Sequence, residues 1–114
     1  MTKQEAKDLS IELWQYLADH SEIDDKSKIE AKDLRERVCC YINYCPLCGL
    51  FYDDKLVRLQ CNKCPLDSCF DYGSDFKKWR NAVDNETRKA AAESILAKIR
   101  AWDVNRGTND DQRN

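Results

Sequence analysis

The chain has 114 residues, a net charge of −2 and 35% charged residues, which fits one domain with a modest hydrophobic core. It contains no apolar run long enough to cross a membrane and no visible signal peptide in Met1–Asp8, so we expect a cytoplasmic protein. Residues 1–37 hold ten acidic and seven basic side chains, whereas residues 76–114 hold six acidic and nine basic ones. This imbalance alone does not indicate a nucleic-acid-binding protein.

Capping patterns and apolar periodicity predict two helices in the first part of the chain. Thr2–Glu5 has the T-x-x-E pattern of a capping box, and the apolar residues after it predict a helix over Lys3–Ala18. Ser27–Glu30 is a second capping box, which predicts a helix running to Tyr41. We expect the two helices to form a hairpin across the polar link Ser21–Lys26.

Two C-x-x-C pairs, Cys45 with Cys48 and Cys61 with Cys64, are separated by twelve residues. This is the spacing of a structural zinc site, in which Zn²⁺ takes four thiolates in a tetrahedron. Gly49 follows the first pair directly, where a positive φ would relax the turn. The sequence therefore predicts Zn²⁺ as the cofactor and these four cysteines as its ligands.

Three further cysteines leave the ligand set open. Cys69 is an alternative ligand that could replace a cysteine of the second pair. The reason is that Pro65 lacks the backbone N–H that would ordinarily donate a hydrogen bond to a cysteine sulfur in the turn of the second C-x-x-C. Cys39 and Cys40 are expected to be buried helix residues, since an unligated cysteine packs as a small apolar group.

The segment between the two cysteine pairs has the features of a hairpin. Leu50–Tyr52 and Leu56–Leu59 are short and β-prone, and Asp53–Asp54 is suited to turn between them. Such a hairpin would bring the two cysteine pairs together. We therefore predict a mainly α fold with a small zinc-bearing β-hairpin, similar to a zinc knuckle or treble clef, between N-terminal and C-terminal helices.

Two further helices are predicted after the cysteines. Ser74 is a suitable cap for a third helix, whose apolar face consists of Phe76, Trp79 and Val83. A fourth helix begins at Asp84 or Asn85 and has Gly107 as a suitable stop. Its expected buried stripe consists of Ala91, Ala92, Ile95, Ile99 and Trp102. Residues 1–107 are thus predicted to form a single zinc-stabilised helical domain, followed by a disordered tail over 108–114.

No catalytic residues are predicted. Cys45–Cys48 resembles a redox C-x-x-C, but the βαβ pattern that accompanies such a motif is missing. His20–Glu22 matches the H-x-E of zinc deaminases, yet Tyr44 stands where those enzymes have proline before the first C-x-x-C. Four thiolates would also close the coordination shell of zinc, so we expect a protein that is not an enzyme.

Basic residues of the two C-terminal helices form either a solvated face or a nucleic-acid-binding face. The candidates for the second interpretation are Lys77, Lys78, Arg80, Arg88 and Lys89.

Several of these motifs occur in a distinctive order. Leu13-Trp14 precedes the first C-x-x-C; Cys61 to Leu66 then reads C-x-x-C-P-L, and Cys69, an aromatic residue with tryptophan and an Ala-rich helix follow. Over most of residues 9–102 this layout resembles a group of small bacteriophage- and prophage-encoded proteins. The resemblance implies a zinc site and a phage origin, although the extra pair Cys39-Cys40 departs from the pattern.

By analogy, the resemblance implies an accessory protein that binds or inhibits a host protein in the host cytoplasm. The leading expectation is therefore a non-enzymatic zinc-binding protein with a host protein partner. A zinc protein that binds nucleic acid through its basic C-terminal helices is the alternative. The sequence gives no indication of the oligomeric state.

Overall fold

The computed structural model of the chain describes residues 2–39, 45–53, 58–59, 66 and 73–104. The helices are α1 (Lys3–Asp19), a 3₁₀ helix (Lys26–Lys28), α2 (Lys32–Val38), α3 (Pro46–Leu50), α4 (Asp75–Arg80) and α5 (Asn85–Ala101). Two short strands, β1 (Tyr52–Asp53) and β2 (Arg58–Leu59), follow α3. Within the described ranges, no helix is both long and apolar enough to pass through a membrane.

Helix α1 starts with the predicted capping box. The Thr2 hydroxyl accepts the N–H of Glu5 at 3.0 Å, and the Glu5 carboxylate accepts the N–H of Thr2 at 2.7 Å. These two bonds satisfy backbone donors that a helix N-terminus would otherwise leave unpaired. The prediction of a helix from Lys3 is confirmed, and its inner face buries Leu13, Trp14 and Leu17.

Helix α5 packs antiparallel on α1, and these two long helices enclose much of the hydrophobic core. The Lys7 ammonium, near the start of α1, donates to the carbonyl of Trp102 at 2.6 Å, just beyond the end of α5. The Asp84 carboxylate accepts the N–H of Thr87 at 2.7 Å and thereby caps α5 as predicted. The predicted apolar stripe of α5 is buried: Ala91, Ala92, Ile95, Ile99 and Trp102.

Helix α4 packs against α5 and is shorter than its apolar pattern indicates. Ser74 caps it as predicted, and Trp79 is buried with its ring edge-on to Trp14 at a centroid distance of 5.2 Å. The prediction that Val83 belongs to this apolar face is wrong, because α4 ends at Arg80 and Val83 is 94% exposed. Asp84 already caps the next helix, so the residues before it form the connecting loop.

The second predicted helix begins later than its capping box indicates. The Asp25 carboxylate accepts the N–H of Ser27 at 2.9 Å, so Ser27 lies inside the 3₁₀ helix instead of capping an α-helix. Ile29 is then extended and buried, and its carbonyl accepts a hydrogen bond from Arg35 at 2.9 Å. Residues 40–44, which include the predicted end of this helix, lie outside the described residues.

The prediction of a fold with a zinc-bearing β-hairpin is wrong. The described part is a compact, mainly helical globule, and Cys45 and Cys48 lie at the start of α3 and not on a hairpin. Pro46 occupies the first position of α3, where its fixed φ favours a helix, and Leu50 is consequently helical. Strands β1 and β2 pair antiparallel, but each has two residues, and Asp53 lies in β1 and not in a turn.

Candidate metal centre

The first cysteine pair is held by the first turn of α3. Cys45 is the N-cap residue, and Cys48 is the third residue of the helix. Cys45 is buried, Cys48 is half-buried, and both are thiols and not halves of a disulfide. The two residues therefore lie within one helical turn of each other. This is the arrangement that a C-x-x-C pair needs in order to bind one metal ion.

The surroundings of Cys45 favour its thiolate. The hydrogen bond from the Cys48 thiol makes the largest contribution and lowers the pKa of Cys45 to about 5. Burial of the thiol opposes this change, while the Lys26 ammonium and the amides of Cys48 and Leu47 lower the pKa further. Because the thiolate is the form that binds metal, Cys45 is prepared for ligation at neutral pH.

Gly49 stabilises this turn in a way that differs from the prediction. It lies inside α3, and its N–H donates to the carbonyl of Cys45 at 3.1 Å. A residue at positive φ is therefore not what this position requires, and the prediction for Gly49 is wrong. The short helix α3 packs on α1, and its Leu47 is fully buried. The cysteine pair is thus fixed to the helical core through apolar packing.

The second half of the predicted ligand set, Cys61 and Cys64 with Cys69 as the alternative, lies outside the described residues. Among the residues that are described, no three His, Cys, Asp or Glu side chains are grouped to hold a metal ion. The four-cysteine zinc site therefore stays a prediction, of which the structure describes the first pair.

Cys39 is the C-cap residue of α2 and is exposed. Its thiol donates to the carbonyl of Glu36 at 3.4 Å, so the prediction that Cys39 is a buried helix residue is wrong. Helix α2 buries Leu34 and Val38 in the core, and Cys39 lies outside this buried face. Cys40 lies outside the described residues.

The lone histidine is explained by its place at the end of α1. His20 is the C-cap residue, its Nδ1 lies 2.8 Å from the carbonyl of Tyr16, and its ring stacks on Tyr16 at a centroid distance of 4.0 Å. Its contacts are those of a residue that closes a helix C-terminus.

Sequence reasoning missed a buried lysine that lies between aromatic rings of α1 and α4. Lys26 is only 7% exposed, and its Nζ lies 5.2 Å from the ring centroid of Trp14 and 4.9 Å from that of Phe76. A lysine in a polar stretch between two helices is ordinarily solvated. The two aromatic rings come from α1 and α4, which are distant in sequence, so no local pattern could have revealed this contact.

The predicted basic face is divided by the fold. Lys78, Arg80 and Lys89 are exposed, and Lys77 is half-buried. Arg88 is 9% exposed and its guanidinium donates to the carbonyls of Ser21, Trp79 and Ala82. Arg88 therefore belongs to the interior of the protein and does not continue a basic surface.

No protein-family model, curated protein or solved structure matches this chain.

Proposed function

We propose that the chain is a non-enzymatic zinc-binding protein in which the metal stabilises a binding module. The observation that carries the proposal is the Cys45–Cys48 pair, two thiols that the first turn of α3 holds at its N-cap and third residue. The sequence supplies a second pair, Cys61 and Cys64, at the spacing that completes a tetrahedral zinc site. Cys69 is the alternative to a member of that second pair.

The expected role of the metal is structural. Four thiolates complete the coordination of Zn²⁺ and leave no position for a water molecule that could be activated. Because α3 packs on α1, zinc would join the segment after α3 to the helical core. Zinc binding is then coupled to the folding of residues 44–70.

The zinc site is tested by metal analysis of protein purified under reducing conditions without chelator. We expect about one zinc ion per chain in the wild type and loss of that zinc in Cys48→Ser, whereas Cys39→Ser keeps it. Cys39 is a matched control because its thiol is exposed at the end of α2 and it belongs to neither C-x-x-C pair. A wild type without zinc, or equal zinc contents in both variants, would contradict the assignment.

The same measurement on Cys64→Ser and Cys69→Ser identifies the fourth ligand. The cysteine whose replacement abolishes zinc binding is the ligand, and the cysteine whose replacement leaves zinc bound is not. Loss of zinc in both variants would indicate that the second half of the site requires both cysteines for folding. The absorption spectrum of the Co²⁺-loaded wild type would then give the number of thiolates bound.

We further propose that the module is a phage or prophage accessory protein that binds a host protein. The resemblance in motif order supports this origin. The division of the basic face favours a protein partner over the phosphate backbone of a nucleic acid. Arg88 is buried, and exposed acidic residues lie among the basic residues that stay exposed. Among the described residues close in sequence to Arg80 and Lys89, the exposed acidic side chains are Asp84, Glu86 and Glu93. An uninterrupted basic stripe is what nucleic-acid binding requires.

Affinity capture from bacterial lysate tests the partner class. The tagged wild-type protein should retain a host protein in stoichiometric amount after nuclease treatment, and zinc-free Cys48→Ser should not. Nucleic-acid binding through the basic helices would instead weaken steeply with salt and would be lost in a Lys78→Gln, Arg80→Gln double variant. Recovery of nuclease-sensitive nucleic acid alone would make the host-protein proposal wrong.

A further inference from the structure

The link between α1 and α2, residues 21–30, lies against the core through a row of three side chains. Ile23, Lys26 and Ile29 are buried, whereas the residues between them are half-buried or exposed. Isoleucine is an ordinary residue in such a row, but a lysine normally keeps its ammonium in water. The burial of Lys26 is therefore the exceptional feature of the link.

Two aromatic rings from different helices hold the ammonium of Lys26. Its Nζ lies over both rings, 5.2 Å from the centroid of Trp14 and 4.9 Å from the centroid of Phe76. The electron-rich face of an aromatic ring attracts a cation at these distances. Because Trp14 belongs to α1 and Phe76 to α4, this one side chain attaches the link to two helices of the core.

The backbone of the link forms only local hydrogen bonds. The N–H of Ile23 donates to the carbonyl of His20 at 3.0 Å, and the N–H of Ile29 donates to the carbonyl of Lys26 at 3.3 Å. Within the part of the chain that the structure describes, no backbone–backbone hydrogen bond joins residues 21–30 to a helix or strand outside the link. Side chains therefore attach the link to the rest of the protein.

Two arginines fix the ends of the link. Arg88 of α5 donates to the carbonyl of Ser21 at 2.9 Å, and Arg35 of α2 donates to the carbonyl of Ile29 at 2.9 Å. Between these two points, the row of buried side chains attaches the link to the core. A segment held in this way opens at a lower free energy than the long helices beneath it.

We propose that residues 21–30 form a strap that opens and closes as a unit over the rings of Trp14 and Phe76, with Lys26 as its latch. In the closed strap the ammonium lies on both rings, and Ile23 and Ile29 are buried. Opening returns the ammonium to water and uncovers the ring faces on α1 and α4. The cation–π contacts then determine how often the strap opens. This inference does not depend on the proposed zinc site.

Hydrogen exchange of the backbone amides, followed by NMR on the full chain, tests whether the strap opens by itself. The hydrogen-bonded amides of Ile23, Lys28 and Ile29 report on the strap, and the amides of α5 report on unfolding of the core. We expect the protection factors of the strap amides to be at least about 10-fold lower than the highest ones in α5. Equal protection would overturn the proposal, because the link would then open only with the whole protein.

A double-mutant cycle tests the latch. Lys26→Leu removes the charge and Phe76→Leu removes the aromatic face, while each leaves an apolar side chain in place. We expect their effects on the protection factors of the strap to depart from additivity by about 3-fold or more, since either change alone abolishes the contact between the ammonium and the Phe76 ring. Lys28→Leu combined with Phe76→Leu is the matched control and should be additive. Lys28 is in the same 3₁₀ helix, but it is exposed and pairs with Asp24 at 2.8 Å.

Additive effects of Lys26→Leu and Phe76→Leu would overturn the role of Lys26 as a latch. Equal losses of protection in the strap and in α5 would also overturn it, because Lys26 would then stabilise the whole fold and not the closed strap. If Phe76→Leu does not fold, Lys26→Leu is compared with Lys28→Leu alone. Lower strap protection in Lys26→Leu only would support the latch, and equal protection in the two variants would contradict it.

Discussion

Arg88 shows how one side chain can hold together segments that are distant in sequence. Its guanidinium donates to the carbonyl of Ser21 at 2.9 Å, of Ala82 at 2.7 Å and of Trp79 at 3.2 Å. These carbonyls belong to the loop after α1, the loop before α5 and helix α4. The planar guanidinium, with five N–H donors, suits such a divergent set of acceptors, and a lysine would not reach them all.

We expect Arg88→Met to lower the free energy of unfolding by about 3 kcal/mol, because several partly buried carbonyls lose their donor. Lys89→Met is the matched control: Lys89 is the next residue of α5 and is exposed, so the same change should cost less than about 0.5 kcal/mol. Urea unfolding followed by circular dichroism measures both values. Equal stability of the two variants would mean that solvent satisfies these carbonyls when Arg88 is absent.

At the scale of elements, the sequence predicts helices well where the cap and the apolar period agree. The capping box of Thr2 and Glu5, the caps Ser74 and Asp84, and the buried stripe of α5 are all confirmed. These features are local, since each cap satisfies backbone donors within its own first turn. The same reasoning failed at Ser27, because Asp25, two residues earlier, caps a 3₁₀ helix in its place.

Predictions that depend on partners distant in sequence were less successful. Val83 continues an apolar period, but Asp84 begins the next helix and leaves Val83 on the surface. The β-prone residue Leu50 became helical because Pro46 starts α3. For the candidate site, the C-x-x-C spacing identifies Cys45 and Cys48, which lie in one helical turn at the start of α3, and their role as ligands stays a prediction. It could not indicate Lys26, whose burial depends on rings from α1 and α4.

At the scale of the whole molecule, the described structure divides into long helices, which bury most of their apolar side chains against one another, and the short α3, whose Cys45 is buried in the same core. The long helices α1 and α5 pack on each other, and α4 covers α5. The largest fully buried side chains of these helices include Trp14, Trp79, Ile95 and Ile99. Because α1, α4 and α5 bury these apolar side chains against one another, they have their own source of stability. Zinc would add stability at the edge where α3 joins α1.

This division predicts the effect of removing the metal. A chelator should leave most of the helical circular dichroism of the zinc-bound protein at 25 °C, because α1 and α5 keep their apolar contacts. The melting temperature should nevertheless fall by about 10 °C or more, since a structural zinc contributes several kcal/mol and about 1 kcal/mol shifts a domain of this size by roughly 4–8 °C. Re-addition of Zn²⁺ should restore the melting temperature of the wild type but not that of Cys48→Ser. An unchanged melting temperature after zinc has been removed would show that the metal does not stabilise the fold, and complete loss of helicity would show that the core cannot fold without it.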